Sequence, residues 1–298
     1  QNLFHIIRRL KETNLIIIYI THYLDEIFEI CDRVVVLRDG SITGEGLTRS
    51  LDKKKIINFM IGREIENLTE YAKRTPGQKI LEVKSITGEK YPDEVSFDLH
   101  KGEILGIWGL LGSGRTELLR TLLGFDKMKK GQICFGENGD LKPIKRKRFL
   151  KKVGYLTESR HYDGLFLRMQ LWQNITSTNL SKYTTRFLRI LKKKNEKEAA
   201  LRFMKQVNVK AIDENMIAEK LSGGNQQKVI IAKWFLKEPK ILFMDEPTKG
   251  VDVEAKSEIQ KLIFKMAKEG MAFVIISSEL EEIMSLCDRI IILNKGTV

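Results

Sequence analysis

Apolar residues follow two rhythms along this chain. Unbroken runs such as Leu15 to Ile20, Ile104 to Trp108 and Ile241 to Met244 have the length of strands buried on both faces. Val95-Ser96-Phe97-Asp98-Leu99 alternates, as a half-buried strand does, and Ile80-Leu81-Glu82-Val83 reads as another strand before it. Elsewhere the spacing is helical, over Glu117 to Leu123 and Val229 to Leu236. Strands alternating with helices predict an α/β core. Leu171 to Lys220 breaks the alternation. It is rich in helical spacing and lysine and poor in strand-like runs, which predicts a helical subdomain inserted into the core.

The pattern also repeats once, at an offset of 256 residues. Ile20-Thr21-His22-Tyr23-Leu24-Asp25-Glu26-Ile27 lies over Ile276-Ser277-Ser278-Glu279-Leu280-Glu281-Glu282-Ile283. Cys31-Asp32-Arg33 lies over Cys287-Asp288-Arg289, and Gly40 over Gly296. Both copies predict helix, buried strand, helix, strand and a glycine turn. The expectation is therefore the end of one unit over residues 1–61 and a second unit over 79–298, with its helical subdomain at about 165–235. The polar stretch 62–78, with Thr75-Pro76-Gly77, is the expected linker. Both ends of the chain are expected to be cut from something longer.

Composition narrows the classes. With 42% hydrophobic and 31% charged residues, the chain is expected to be globular. Its longest apolar runs fall far short of the roughly 18 residues a membrane helix needs, and no secretory leader opens it. Three scattered cysteines without a C-x-x-C pair point to a reducing, cytoplasmic setting rather than to zinc or disulfides. The formal charge is +13, with basic clusters at Lys53 to Lys55, Lys127 to Lys130, Lys145 to Arg148 and Lys192 to Lys194. No aromatics interleave them and they match no nucleic-acid motif. Solvated lysines or attraction to an anionic membrane face are thus preferred over a nucleic-acid surface.

Three motifs carry chemistry. Gly109-Leu110-Leu111-Gly112-Ser113-Gly114-Arg115-Thr116 joins a strand to the helix beginning at Glu117, and fits the phosphate-binding loop except that Arg115 stands at the lysine place. Its backbone N–H groups and the helix N-terminus suit phosphate oxygens, and Thr116 suits Mg²⁺. Asp245-Glu246 ends a buried strand, where α/β sheets bind ligands. Asp245 would reach Mg²⁺ and Glu246 would polarise an attacking water. Leu221-Ser222-Gly223-Gly224-Asn225-Gln226-Gln227-Lys228 opens a helix for which Ser222 is a natural N-cap.

This last octet resembles the signature of ABC cassettes, and Ser222 lies 23 residues before Asp245 as that family requires. Nearly the whole chain is similar to the tandem-cassette ATPases of ribose-, galactose- and xylose-type sugar importers. The resemblance implies an α/β P-loop ABC cassette with a RecA-like core, an antiparallel β-subdomain and an inserted helical subdomain. It implies ATP and Mg²⁺ as ligands, Glu158 as the Q-loop residue, and Gly250-Val251-Asp252 as the D-loop. The γ-phosphate-sensing switch position holds His22 in the first unit but Ser278 in the second. Such cassettes pair head to tail, so His22 and Ser222 would flank one competent site. Arg115, Thr116, Asp245, Glu246 and Ser278 would form a weaker one. Arginine is no equivalent of lysine here, since its planar head cannot nest as a point charge. Tyr91 reads equally as an adenine-stacking ring or a turn tyrosine. Some of Phe166, Met169 and Trp172 would line the groove for a permease helix. The implied role is a peripheral ATPase on the cytoplasmic face of the membrane. It would serve permease subunits and, indirectly, a periplasmic-type sugar-binding protein, with no nucleic-acid partner. Nucleoside or autoinducer importers, and soluble tandem-cassette proteins acting on ribosomes or DNA, are the alternatives.

Overall fold

The computed structural model describes residues 2–13, 15–21, 24–38, 40–61, 75–185 and 190–298. Contacts divide the chain into two units, Gln1–Asn67 with Asp252–Ser257, and Leu68–Val251 with Glu258–Val298. His22 and most of the expected linker, residues 62–74, lie outside the described residues.

The first unit comprises α1 (Asn2–Glu12), α2 (Leu24–Ile30), β1 (Arg33–Arg38), β2 (Ser41–Leu47) and α3 (Lys53–Ile61). β1 and β2 form an antiparallel hairpin, paired from Arg33 with Leu47 to Arg38 with Ser41. Its small core is Ile27, Val34, Val36 and Ile56, with Leu51, Phe59 and Met60 packed around them. The buried strand expected over Leu15 to Ile20 does not form. Ile16, Ile18 and Ile20 are 95%, 87% and 92% exposed. The physical reason is that a strand needs neighbours to receive its N–H and C=O groups, and among the described residues none pairs with this run.

The second unit begins with β3 (Lys79–Thr87), β4 (Val95–His100), β5 (Ile104–Trp108) and α4 (Arg115–Leu123). Then come β6 (Lys130–Phe135), β7 (Lys142–Pro143), α5 (Arg146–Lys152) and β8 (Val153–Leu156). Three helices follow, α6 (Leu171–Thr176), α7 (Lys193–Gln206) and α8 (Gly223–Lys237). The rest is β9 (Ile241–Asp245), α9 (Val253–Lys268, of which 253–257 count with the first unit), β10 (Ala272–Ser277), α10 (Leu280–Leu286) and β11 (Arg289–Ile292).

Two sheets organise this unit. One is wholly parallel, in the order β11-β5-β10-β9-β8, and the other antiparallel, in the order β4-β3-β6-β7. The unbroken apolar runs became the central strands of the parallel sheet: every residue of β9 and β10 is buried. The alternating run became β4, in which Val95, Phe97 and Leu99 face inward. One continuous core joins the sheets through Leu81, Leu99, Leu118, Leu122, Phe149 and Phe243. Between β8 and β9 the chain leaves the sheet, and α6, α7 and α8 pack on one another. Gln170 and Gln173 form a reciprocal capping box at the start of α6, and the Thr176 hydroxyl bridges to the buried Glu196 at 3.0 Å.

Candidate nucleotide-binding site

The C-terminal ends of β5, β10 and β9 lie side by side, with Trp108 opposite Ser277 and Ile276 opposite Asp245. This register brings three sequence-distant segments to one edge: the loop after β5, the acidic pair after β9 and Ser278 after β10.

The loop after β5 turns tightly. Gly112 and Gly114 take φ values of +77° and +95°, which only glycine adopts without strain. Gly114 occupies the N-cap position of α4, which directs the first N–H groups of that helix to the loop. A Cβ on Gly109 would lie 2.4 Å from the Leu293 carbonyl oxygen. Ser113 is buried, and its Oγ has no hydrogen-bond partner among the described residues. Leu110 and Leu111 are exposed, as is Glu117 in the first turn of α4, where a carboxylate complements the helix dipole.

Arg115 is buried, and its guanidinium is directed into the protein. Nη1 donates to the Gly109 carbonyl and, at 2.8 Å, to that of Ser277, while Nη2 lies 3.5 Å from Glu246 Oε1. Glu246 itself sits at φ +49° and accepts the Ser278 backbone N–H at 2.8 Å, with the Ser277 Oγ 3.4 Å away. The expected catalytic carboxylate and the expected phosphate-binding arginine thus face each other. Ser278 is exposed, and its carbonyl accepts from the Trp108 indole N–H at 3.2 Å.

Asp245 lies one residue away in a drier setting. Burial pushes its carboxyl up to about 7; a hydrogen bond from Thr116 opposes this, and the charges of Glu158 and Glu246 add to it. The Tyr155 hydroxyl is 3.4 Å from Asp245 Oδ2, and burial together with that carboxylate raises the tyrosine as well. Glu158 is exposed and paired with Lys249 Nζ at 2.7 Å.

Ser222 occupies the N-cap position of α8 with extended backbone angles, but its hydroxyl does not cap the helix. Instead Oγ accepts from Asn225 Nδ2 at 3.0 Å, so the side-chain cap expected from the sequence is corrected. Gly223 matters for close approach, since a Cβ there would meet Arg160 Nη2 at 2.9 Å. That arginine donates to the carbonyls of Lys249 and Gly250, at 3.3 and 3.1 Å. Gly224 is buried behind it. Tyr91 packs its ring edge on Gly114 and Gly296, which have no Cβ to keep it away. Of the three expected groove residues, Phe166 and Met169 are exposed at 57% and 45%, while Trp172 is buried in the helical layer.

Sequence reasoning missed the buried partners. Glu282 accepts the hydroxyls of Ser277 and Thr248, each at 2.6 Å, and so ties α10 to the end of β10 and the loop after β9. Gln227 of the signature helix donates to the Pro247 carbonyl at 2.7 Å. The signal available was weak: polar residues flanking apolar runs, with no spacing rule to pair them.

A parallel sheet with a glycine loop after one strand, an acidic pair after another, and a signature helix rising from an inserted helical layer defines an ABC-type nucleotide cassette. The ABC transporter family profile matches residues 92–249, more than half of the chain, and the chain belongs to that family. Within it, the chain is 42% identical to the ribose import ATP-binding protein RbsA of Clostridium perfringens (strain SM101), over 100% of this chain and 59% of the relative. It is 40% identical to the galactose/methyl galactoside import ATP-binding protein MglA 1 of Photobacterium profundum, over 99% of this chain and 60% of the relative. The chain therefore spans less than two thirds of the length of these curated relatives. Among solved structures it resembles a nucleotide-free ATP-binding cassette from an ABC transporter, with a TM-score of 0.63 at 22% identity, covering 74% of this chain and 89% of the other. A dimeric cassette in a post-hydrolysis state bound to ADP and Pi matches with a TM-score of 0.61 at 23% identity, covering 74% and 96%. These two likenesses concern the fold alone.

Proposed function

We propose that this chain is part of the ATP-binding subunit of an ABC importer of monosaccharides. Residues 1–61 would be the end of a first cassette and 79–298 a second. The observation that carries the reading is the convergence of the Gly109–Thr116 loop, Asp245, Glu246 and Ser278 on one sheet edge, in a chain about 40% identical along its length to ribose and galactose import ATP-binding proteins. The exposed isoleucines of the first unit support its assignment as a partial cassette, because a run patterned like a buried strand finds no strand partner among the described residues.

The residues fit ATP and Mg²⁺. The buried, unpartnered Ser113 hydroxyl and the glycine loop suit phosphate oxygens, and Thr116 with Asp245 would hold Mg²⁺, which when bound neutralises phosphate charge. Glu246 would orient water, but its carboxylate already accepts from the Ser278 N–H and faces Arg115. This pocket is therefore proposed as the weaker of two. The competent one would form head to tail, with His22 and Ser222 flanking its nucleotide. No described helix is long and apolar enough to cross a membrane. Separate permease subunits would carry the sugar, handed over by a periplasmic-type binding protein, with this chain at the cytoplasmic face. Exposed Phe166 and Met169 suit a docking groove for a permease helix.

The test is nucleotide binding by the purified chain. ATP should bind weakly and in a Mg²⁺-dependent way, and Thr116→Ala should remove the Mg²⁺ dependence. Hydrolysis should be very slow. A turnover near the common enzyme value of about 10 s⁻¹ would show the Arg115 pocket to be unimpaired, and no ATP binding at all would overturn the reading.

A further inference from the structure

Two of the basic clusters in the sequence, Lys127 to Lys130 and Lys145 to Arg148, converge in the fold. They meet at a cavity of about 540 Å³ at the C-terminal end of α4, where that helix approaches β6 and the chain entering α5. The lining joins Lys127, Lys145 and Arg146 with apolar side chains, among them Met128 and Ile144. Small-ligand sites commonly measure about 300–1,000 Å³, so the space suits a compact metabolite or a lipid headgroup.

Charge in the cavity is one-sided. Its single carboxylate, Asp126, is held by Arg120 in a two-pronged pair at 2.9 and 2.8 Å. Among the described residues no carboxylate pairs with Lys127, Lys145 or Arg146. The Arg146 guanidinium lies directly over Gly124, where a Cβ would fall 2.2 Å from its Cζ, so the absence of a side chain at Gly124 lets the cation reach the lining. A second observation is independent of charge. Thr121 lines the same cavity and is fully buried, yet its Oγ1 has no hydrogen-bond partner among the described residues. Buried hydroxyls are normally satisfied. Another cavity of this unit, about 300 Å³ near Lys240 and Glu137, lacks this imbalance, since those two residues pair at 3.5 Å.

We propose that this cavity binds a phosphate ester. Its anionic head would be held by Lys145 and Arg146, assisted by Lys127. Its body would lie against Met128 and Ile144. Arginine suits the head because its planar fork matches two phosphate oxygens. The site is separate from the nucleotide edge. Arg115 opens α4 and Gly124 closes it, which places the two at opposite ends of a helix roughly 14 Å long.

The experiment titrates the chain with glycerol 3-phosphate by calorimetry. In parallel it measures co-sedimentation with phosphatidylcholine vesicles, with and without phosphatidic acid. Binding of the free ester alone identifies a soluble metabolite as the source, and binding of the phosphatidic acid vesicles alone identifies a lipid headgroup. In either arm, Lys145→Gln combined with Arg146→Gln should weaken binding by about tenfold or more, as expected for losing charge-assisted hydrogen bonds. Both residues are exposed, so circular dichroism should stay unchanged. Failure of both probes to bind overturns the proposal. So does binding that survives the double substitution, because the phosphate is then held elsewhere.

Discussion

Ile20 and Ile276 occupy the same place in two copies of one sequence pattern, and they end in opposite environments. Ile276 is 1% exposed in β10, between β5 and β9, while Ile20 is 92% exposed in a run with no secondary structure. The runs preceding them are similarly apolar. What differs is the presence of parallel neighbours. A central strand of a parallel sheet is created by its partners, whereas α2 and α10 form in both copies because a helix satisfies its own backbone. The final strands differ for the same reason. β11 joins the parallel sheet beside β5, while β1 takes an antiparallel partner from the chain that follows it.

The largest test of this contrast concerns the two pockets of the proposed function. If the proposed function holds, then in a full-length importer ATPase carrying this sequence His22→Ala and Ser222→Arg should reduce sugar uptake by about 10²-fold or more, the scale of losing a group that acts on the reacting phosphate. Arg115→Ala should stay within about tenfold of the parent, a cost of about 1.4 kcal/mol. Uptake assays decide it: an Arg115→Ala protein as damaged as His22→Ala would show that the two pockets are equal.

Next in size is stability. Ile276→Ala should destabilise the chain by about 2–5 kcal/mol, the cost of a cavity in a packed core. Ile20→Ala should change it by no more than about 0.5 kcal/mol. Denaturant midpoints measure both, and equal losses would mean that the first copy has found partners of its own.

The smallest difference lies in the equivalent arginines. Arg33 meets Glu45 at 2.6 Å, with both side chains more than half exposed, so Arg33→Ala should cost about 0–1 kcal/mol. Arg289 holds Asp98 at 2.9 Å and the buried Glu103 at 2.8 Å, so Arg289→Ala should cost about 1–3 kcal/mol. Burial pushes the Asp98 carboxyl up, but hydrogen bonds from Lys79 and Arg289 outweigh it and hold the group below its ordinary 3.8. A depressed carboxylate adds stability above its unfolded pKa and loses it as pH falls through the folded value. The gap between parent and Arg289→Ala should therefore be widest near neutral pH and close in acid, as denaturation at several pH values would reveal.

The sequence was legible where burial alone decides the outcome. Ile104 to Trp108, Ile241 to Met244 and the alternating Val95 to Leu99 all became strands, and the glycine spacing of Gly109–Gly114 announced its turn. Periodicity separates inside from outside, so it left unresolved which polar groups meet across long separations. The Arg115–Glu246 pair spans 131 residues, and the Ser277 and Thr248 hydroxyls converge on Glu282 from the end of β10 and the loop after β9. Nor could a local rule foresee that the Ser222 hydroxyl would turn to Asn225 rather than cap its helix. Trp172 shows the same limit: its neighbours Phe166 and Met169 stayed at the surface, and only the packing of the helical layer drew the indole inside.

The inward-facing arginine also changes what affinity means at this pocket. Arg115 already has the carbonyls of Gly109 and Ser277 and the carboxylate of Glu246 as partners. A phosphate that engages its guanidinium therefore completes an exchange, and only the difference between the old set of hydrogen bonds and the new one appears as binding free energy. The same exchange releases Glu246 from a cation. Under the proposed function, occupancy of the loop and the charge balance around the acidic residue would then be a single coupled event, and the pocket would register a nucleotide by trading ion-pair partners.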